Sequence, residues 1–105
     1  MSIRRRYEIL LPLQFNDGRD VPDELLWQTV EELERQFHGV SLESQVVHGL
    51  WRGEGGGFHD NNTRLIVDLE DSAENHAFFM SLKERLKRRF QQFEIYIVSH
   101  QIEVL

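Results

Sequence analysis

A carboxylate beside an imidazole is the simplest equipment for moving a proton, and the chain offers one such set in Glu8, Asp68, Tyr96 and His100. All four lie in runs that alternate apolar and polar residues, on the polar phase, so one face of a sheet would carry them. His100, Glu8 and Asp68 with Tyr96 could then transfer protons on a small organic substrate, or serve equally as the polar part of an interface. A second set is His48 with His59 and Asp60, on either side of a glycine-rich stretch. A hairpin there would bring two imidazoles and a carboxylate together, donors suited to zinc or nickel. The five histidines show no HxH or HxxxH spacing, so no metal is expected, and His48, His59 and Asp60 are its candidates.

Other chemistry is excluded by residue type. With no cysteine there is no disulfide framework, thiolate zinc site, iron–sulfur cluster or cysteine nucleophile. The serines stand outside any GxSxG context. Gly53-Glu54-Gly55-Gly56-Gly57 joins strand to strand, whereas phosphate cradles run from strand to helix, so the loop reads as a hairpin tip that could close over a ligand or a neighbouring subunit. No cofactor is expected.

These residues need elements to hold them. Tyr7, Ile9, Leu11, Leu13 and Phe15 alternate against Arg6, Glu8, Leu10 and Gln14, the period of a half-buried strand over residues 5–15. Asn16-Asp17-Gly18 supplies a turn, and Pro22 opens a helix with Asp23 and Glu24 in its first turn. Its apolar stripe is Leu26, Val30, Leu33 and Phe37, with Gly39 as the stop and His38 near the negative end of the dipole. Residues 40–51 predict a second strand with a bulge near Val46, where the phase slips. Residues 58–70 predict a third strand, in which Leu65, Val67 and Leu69 share a face. Asp71 with Glu74 has capping-box spacing and opens a helix over 72–89, buried through Phe79, Leu82 and Leu86. A last strand is expected over 93–104.

The order βαββαβ, with right-handed crossovers, predicts one α+β domain over residues 1–105, a ferredoxin-like four-stranded antiparallel sheet of order 4-1-3-2 with both helices on one face. Helix one carries Asp23, Glu24, Glu31, Glu32 and Glu34, and helix two carries Lys83, Arg85, Lys87, Arg88 and Arg89. The basic run is therefore expected to complement the acidic helix beside it.

The sheet's other face would show Leu10, Ile66, Tyr96 and Val98 as an apolar patch, with Trp51 nearby as a packing or interface residue. Such patches mark partner surfaces, and sheet-on-sheet packing predicts a homo-oligomer, a dimer first and a trimer as the alternative, with room for a small-molecule ligand between subunits. Acidic Glu8 and Asp68 on that face, together with a net charge of −6, oppose a nucleic-acid partner. No run reaches the roughly 18 apolar residues of a spanning helix, so no membrane is expected and a cytoplasmic setting is inferred.

The runs Gly49-Leu50-Trp51-Arg52-Gly53, Leu65-Ile66-Val67-Asp68-Leu69-Glu70-Asp71 and Leu82-Lys83-Glu84-Arg85-Leu86, with Tyr7-Glu8-Ile9-Leu10-Leu11-Pro12, resemble a group of small bacterial, notably cyanobacterial, proteins to which no activity is assigned. That resemblance implies the fold alone. Trp51 and Gly53 at a hairpin, followed by an apolar strand and an acid-led helix, are similar to the CutA divalent-cation-tolerance proteins and the PII signalling class. The similarity implies a trimer that holds ligands between subunits, and with it an oligomeric binding or regulatory module more than an enzyme. The alternative is a dimeric α+β barrel enzyme using the acid/base set above.

Overall fold

Alternation along the first run produces β1 (Ser2–Pro12), in which Tyr7, Ile9 and Leu11 are buried while Glu8 and Leu10 are half covered. The computed structural model describes residues 1–53 and 56–105, with Phe58 described through its backbone. Helix α1 (Asp23–Phe37) follows, then β2 (Ser41–Gly53), β3 (Gly56–Leu69), α2 (Ala73–Arg89) and β4 (Tyr96–Val104). Every pairing is antiparallel in the order β2-β3-β1-β4, which is 4-1-3-2 read from the other edge. An isolated bridge between Gln14 and Asp20 lies outside these strands. Glu54 and Gly55, at the centre of the glycine-rich stretch, fall outside the described residues.

Strand pairing, more than apolar pattern, sets the boundaries. β4 pairs with β1 from Ser2 opposite Val104 to Leu10 opposite Tyr96, so β1 starts earlier than its apolar pattern. The expected bulge is present, as a register shift between Glu43 and Val47.

The core forms between the sheet and the helices. Tyr7, Ile9, Leu11, Leu65, Val67, Leu69 and Ile95 meet Leu33 of α1 and Phe79, Leu82 and Leu86 of α2. The Tyr7 ring stacks on Phe79 with centroids 3.9 Å apart.

Both helix ends differ from their expected residues. His38, not Gly39, takes the left-handed conformation that ends α1, with φ of 64°, and its N–H donates to the Glu34 carbonyl. At α2 the cap is Ser72, whose hydroxyl accepts the Asn75 N–H at 3.1 Å. Asp71 instead accepts from Arg5 at 3.0 and 3.2 Å. Ser72→Ala should therefore cost about 1 kcal/mol, read as a lower urea midpoint at unchanged slope.

The helices are clamped by charge as well as by apolar packing. Glu32 accepts from Arg85 at 2.7 and 3.0 Å and from Arg89 at 2.9 Å. Arg89 also donates to the hydroxyl of buried Thr29 at 2.9 Å. Burial pushes the Glu32 carboxyl up, and the two guanidinium groups outweigh it, so its pKa lies below the usual carboxylate value.

Candidate functional site

Because side chains alternate along a strand, burying Tyr7, Ile9 and Leu11 turns Arg6, Glu8 and Leu10 to the helix-free face. The register sets Ile66 beside Glu8, Arg64 beside Leu10 and Asp68 beside Arg6. From the other side it sets Val98 beside Glu8, His100 beside Arg6 and Tyr96 beside Leu10. Leu10, Ile66 and Val98 are half-buried, although no helix covers them. Tyr96 is 51% exposed and Trp51 47%.

Ion pairs frame this apolar centre. Arg6 grips Asp68 through two hydrogen bonds of 2.8 and 3.0 Å. Those bonds hold the Asp68 carboxyl below its ordinary pKa. Arg64 reaches Glu43 at 3.5 Å, and its buried Nε has no hydrogen-bond partner among the described residues.

At the β2 end a different arrangement occurs. Gly49 lies opposite Asp60, and the Trp51 indole donates to Asp60 Oδ1 at 3.1 Å. A Cβ at Gly49 would stand 2.1 Å from that oxygen and 2.6 Å from the indole nitrogen, so the close approach requires glycine. Asn62 also donates to Asp60 Oδ1 at 3.1 Å, and the Trp51 and Tyr96 rings lie 6.0 Å apart. Leu50, Trp51, Arg52, Gly57 and His59 line an open cleft of about 310 Å³ at the hairpin.

The acid/base set is spread along the face. Tyr96 and His100 are four residues apart on one strand, roughly 13 Å at the strand rise, and Asp68 is occupied by Arg6. Glu8 lies diagonally from His100 across the β1–β4 ladder. Within one chain the four do not meet around a common point.

The metal candidates divide between faces. His48 lies opposite Asn61 and His59 opposite Leu50, which brings the two imidazoles together, with His48 Nδ1 3.3 Å from His59 Nε2. Asp60, between His59 and Asn61, belongs to the other face with Trp51, so the three candidates do not come together. Among the described residues no cluster of three His, Cys, Asp or Glu could hold a metal. Residue types alone did not single out Gly49 or Asn61; a glycine inside a strand was the available signal for the first.

No protein-family profile matches the chain. No curated protein matches it in sequence either. Solved structures do match in shape. A phage SAM lyase in complex with S-methyl-5'-thioadenosine superposes with a TM-score of 0.68 at 14% identity, over 96% of this chain and 90% of that one. The divalent cation tolerance protein CutA1 from Thermus thermophilus gives 0.63 at 22% identity, over 98% and 86%. The phage SAM lyase in its apo state gives 0.62 at 16%, over 95% and 80%. At these identities the likeness establishes the fold, an antiparallel sheet with two helices, and nothing of the chemistry.

Proposed function

We propose that the chain is a self-associating binding module whose helix-free sheet face is the surface between subunits, with a small-molecule ligand held at the edge of that surface. One observation carries the reading: Leu10, Ile66 and Val98 form an apolar centre that no described element of the chain covers, extended by Tyr96 and Trp51 and rimmed by Arg6–Asp68 and Arg64–Glu43. An apolar centre with aromatics and a charged rim is the composition of a protein interface. A second copy of the same face is the occupant that fits, because each rim carries both signs and can complement itself across a two-fold axis.

Relatives in shape support the ligand half of the reading. One is a lyase holding S-methyl-5'-thioadenosine and another is a divalent cation tolerance protein. The similarity to CutA and PII-class proteins implies ligands bound between subunits. The cleft beside Trp51, at about 310 Å³, is at the lower limit for a small-molecule site. A partner subunit would enlarge it.

The test is light scattering coupled to size exclusion, on the wild type and on Leu10→Lys. The expected result is a dimeric or trimeric wild type that the lysine converts to a monomer with unchanged far-UV circular dichroism. A wild type still monomeric at about 100 μM, a concentration that populates any complex of micromolar Kd, would overturn the reading. An oligomer indifferent to the lysine would do the same.

A further inference from the structure

We infer that His48 and His59 form a surface site for a divalent transition-metal ion, with Cu²⁺ its best occupant and Asn61 supplying an oxygen donor. The two imidazoles lie on the opposite face of the β2–β3 hairpin from Trp51 and Asp60, and His59 also lines the cleft at the hairpin, so the site adjoins the proposed ligand cleft without lying on the apolar subunit surface.

The geometry starts from the ladder. His48 faces Asn61 and His59 faces Leu50, so the two imidazoles are diagonal neighbours on antiparallel strands. Their planes differ by 12°, their centroids lie 5.5 Å apart, and the facing nitrogens are separated by 3.3 Å. Those values describe rings meeting nearly end to end through His48 Nδ1 and His59 Nε2. Two adjacent nitrogens each about 2.05 Å from a tetragonal ion, at about 90°, are separated by about 2.9 Å. The pair is therefore within about 0.4 Å of the spacing of two neighbouring ligands of one ion. Tilting each ring by roughly 45° as the pair closes would converge their lone pairs at that metal–nitrogen distance. Both side chains belong to exposed residues, so the tilt meets no packed core.

Asn61 adds the third donor. Its Oδ1 accepts from His48 Nδ1–H at 2.9 Å, and when the ion takes the place of that proton the same separation is that of adjacent ligands at a right angle around a metal held at about 2.05 Å. The amide is turned that way by its other end, since Asn61 Nδ2 donates to Gln14 Oε1 at 3.4 Å. Gln14 Nε2 in turn donates to Asp20 Oδ1 at 3.4 Å. Outer partners of this kind set ligand orientation and commonly contribute tenfold or more in affinity. Two imidazoles and an amide oxygen, with water completing the sphere, are the nitrogen and oxygen donors of a tetragonal copper site, and Cu²⁺ heads the affinity order for such sets. The hydrogen-bonded imidazole pair without metal is the competing use of the same geometry.

Isothermal titration with Cu²⁺ in a non-coordinating buffer, joined to electron paramagnetic resonance of the copper-loaded protein, distinguishes the two. The expected result is one equivalent bound, with splitting from two imidazole nitrogens in the spectrum. His48→Ala and His59→Ala should each weaken binding at least tenfold and reduce the nitrogen count, while Asn61→Leu weakens it several-fold and His100→Ala leaves it unchanged. Circular dichroism of each variant reports whether the hairpin has kept its fold. An affinity unaltered in the His48→Ala/His59→Ala double variant, or a spectrum with oxygen ligands only, would overturn the inference.

Discussion

Replacing Glu32 with alanine is expected to lower stability by about 2–3 kcal/mol, the largest loss from any single charged side chain in the fold. The carboxylate is the common acceptor of Arg85 and Arg89, and the Arg89 side chain is 13% exposed. Removing it leaves Arg89 with the Thr29 hydroxyl as its remaining partner in a largely desolvated position, and takes the carboxylate from the more exposed Arg85, which costs more than the pair gains by forming. For a domain of this size the loss corresponds to a fall in melting temperature of roughly 10–20 °C. Differential scanning calorimetry measures it directly. In Glu32→Ala/Arg89→Met the two effects should be far from additive, because the second change removes one of the groups that the first left unpaired.

Acid should reproduce the same loss. The folded-state pKa of Glu32 is depressed, so its contribution is complete above the unfolded carboxylate value and disappears as pH falls through the lower folded value. The stability curves of the wild type and Glu32→Gln should therefore lie apart at neutral pH and draw together below about pH 4. Parallel curves down to about pH 3 would show that the clamp contributes nothing through ionisation.

The clamp was legible in the chain because charge on two amphipathic helices needs only their faces to be known. Strand phase was legible for a similar reason: Tyr7, Ile9, Leu11, Leu65, Val67 and Leu69 alternate without a break, and burial follows. Capping was less so, since Asp71 and Ser72 are both good caps and the choice fell to tertiary structure. Arg5 captures Asp71 from β1, a partner 66 residues away. Asp60 shows the same limit at the candidate sites. His59 and Asp60 are consecutive in β3 and point to opposite faces in any register, while the register beyond the bulge between Glu43 and Val47 decides which of the two shares a face with His48; it is His59. Composition carries no information about that register, so His48, His59 and Asp60 stood together as candidates where the fold builds two distinct arrangements.

Gly49→Ala should reverse the usual sign of such a change. Glycine inside a strand ordinarily costs roughly 0.5–1 kcal/mol relative to alanine, so the substitution would stabilise an open position. Here the new Cβ would meet Asp60 Oδ1 at 2.1 Å and Trp51 Nε1 at 2.6 Å. Both obstacles are side-chain atoms, so the backbone can stay while Asp60 and the indole are evicted. Their departure breaks the hydrogen bonds that Asp60 accepts from Trp51 and Asn62. Two such bonds, worth about 1 kcal/mol each, with Asn62 left 5% exposed and short of an acceptor, outweigh the gain. The expected net effect is a loss of about 1–2 kcal/mol. A larger effect is expected on association, because Trp51 no longer lies toward Tyr96 on the proposed subunit surface, and aromatic anchors dominate interfaces. The dissociation constant by sedimentation should rise at least tenfold, as it should in Trp51→Ala, and the double variant should be no worse than either single change. Emission from Trp51, isolated in a Trp27→Phe background, should shift to the red in Gly49→Ala. Unchanged association with a displaced indole would place the subunit contact away from Trp51, on Leu10, Ile66 and Val98 alone.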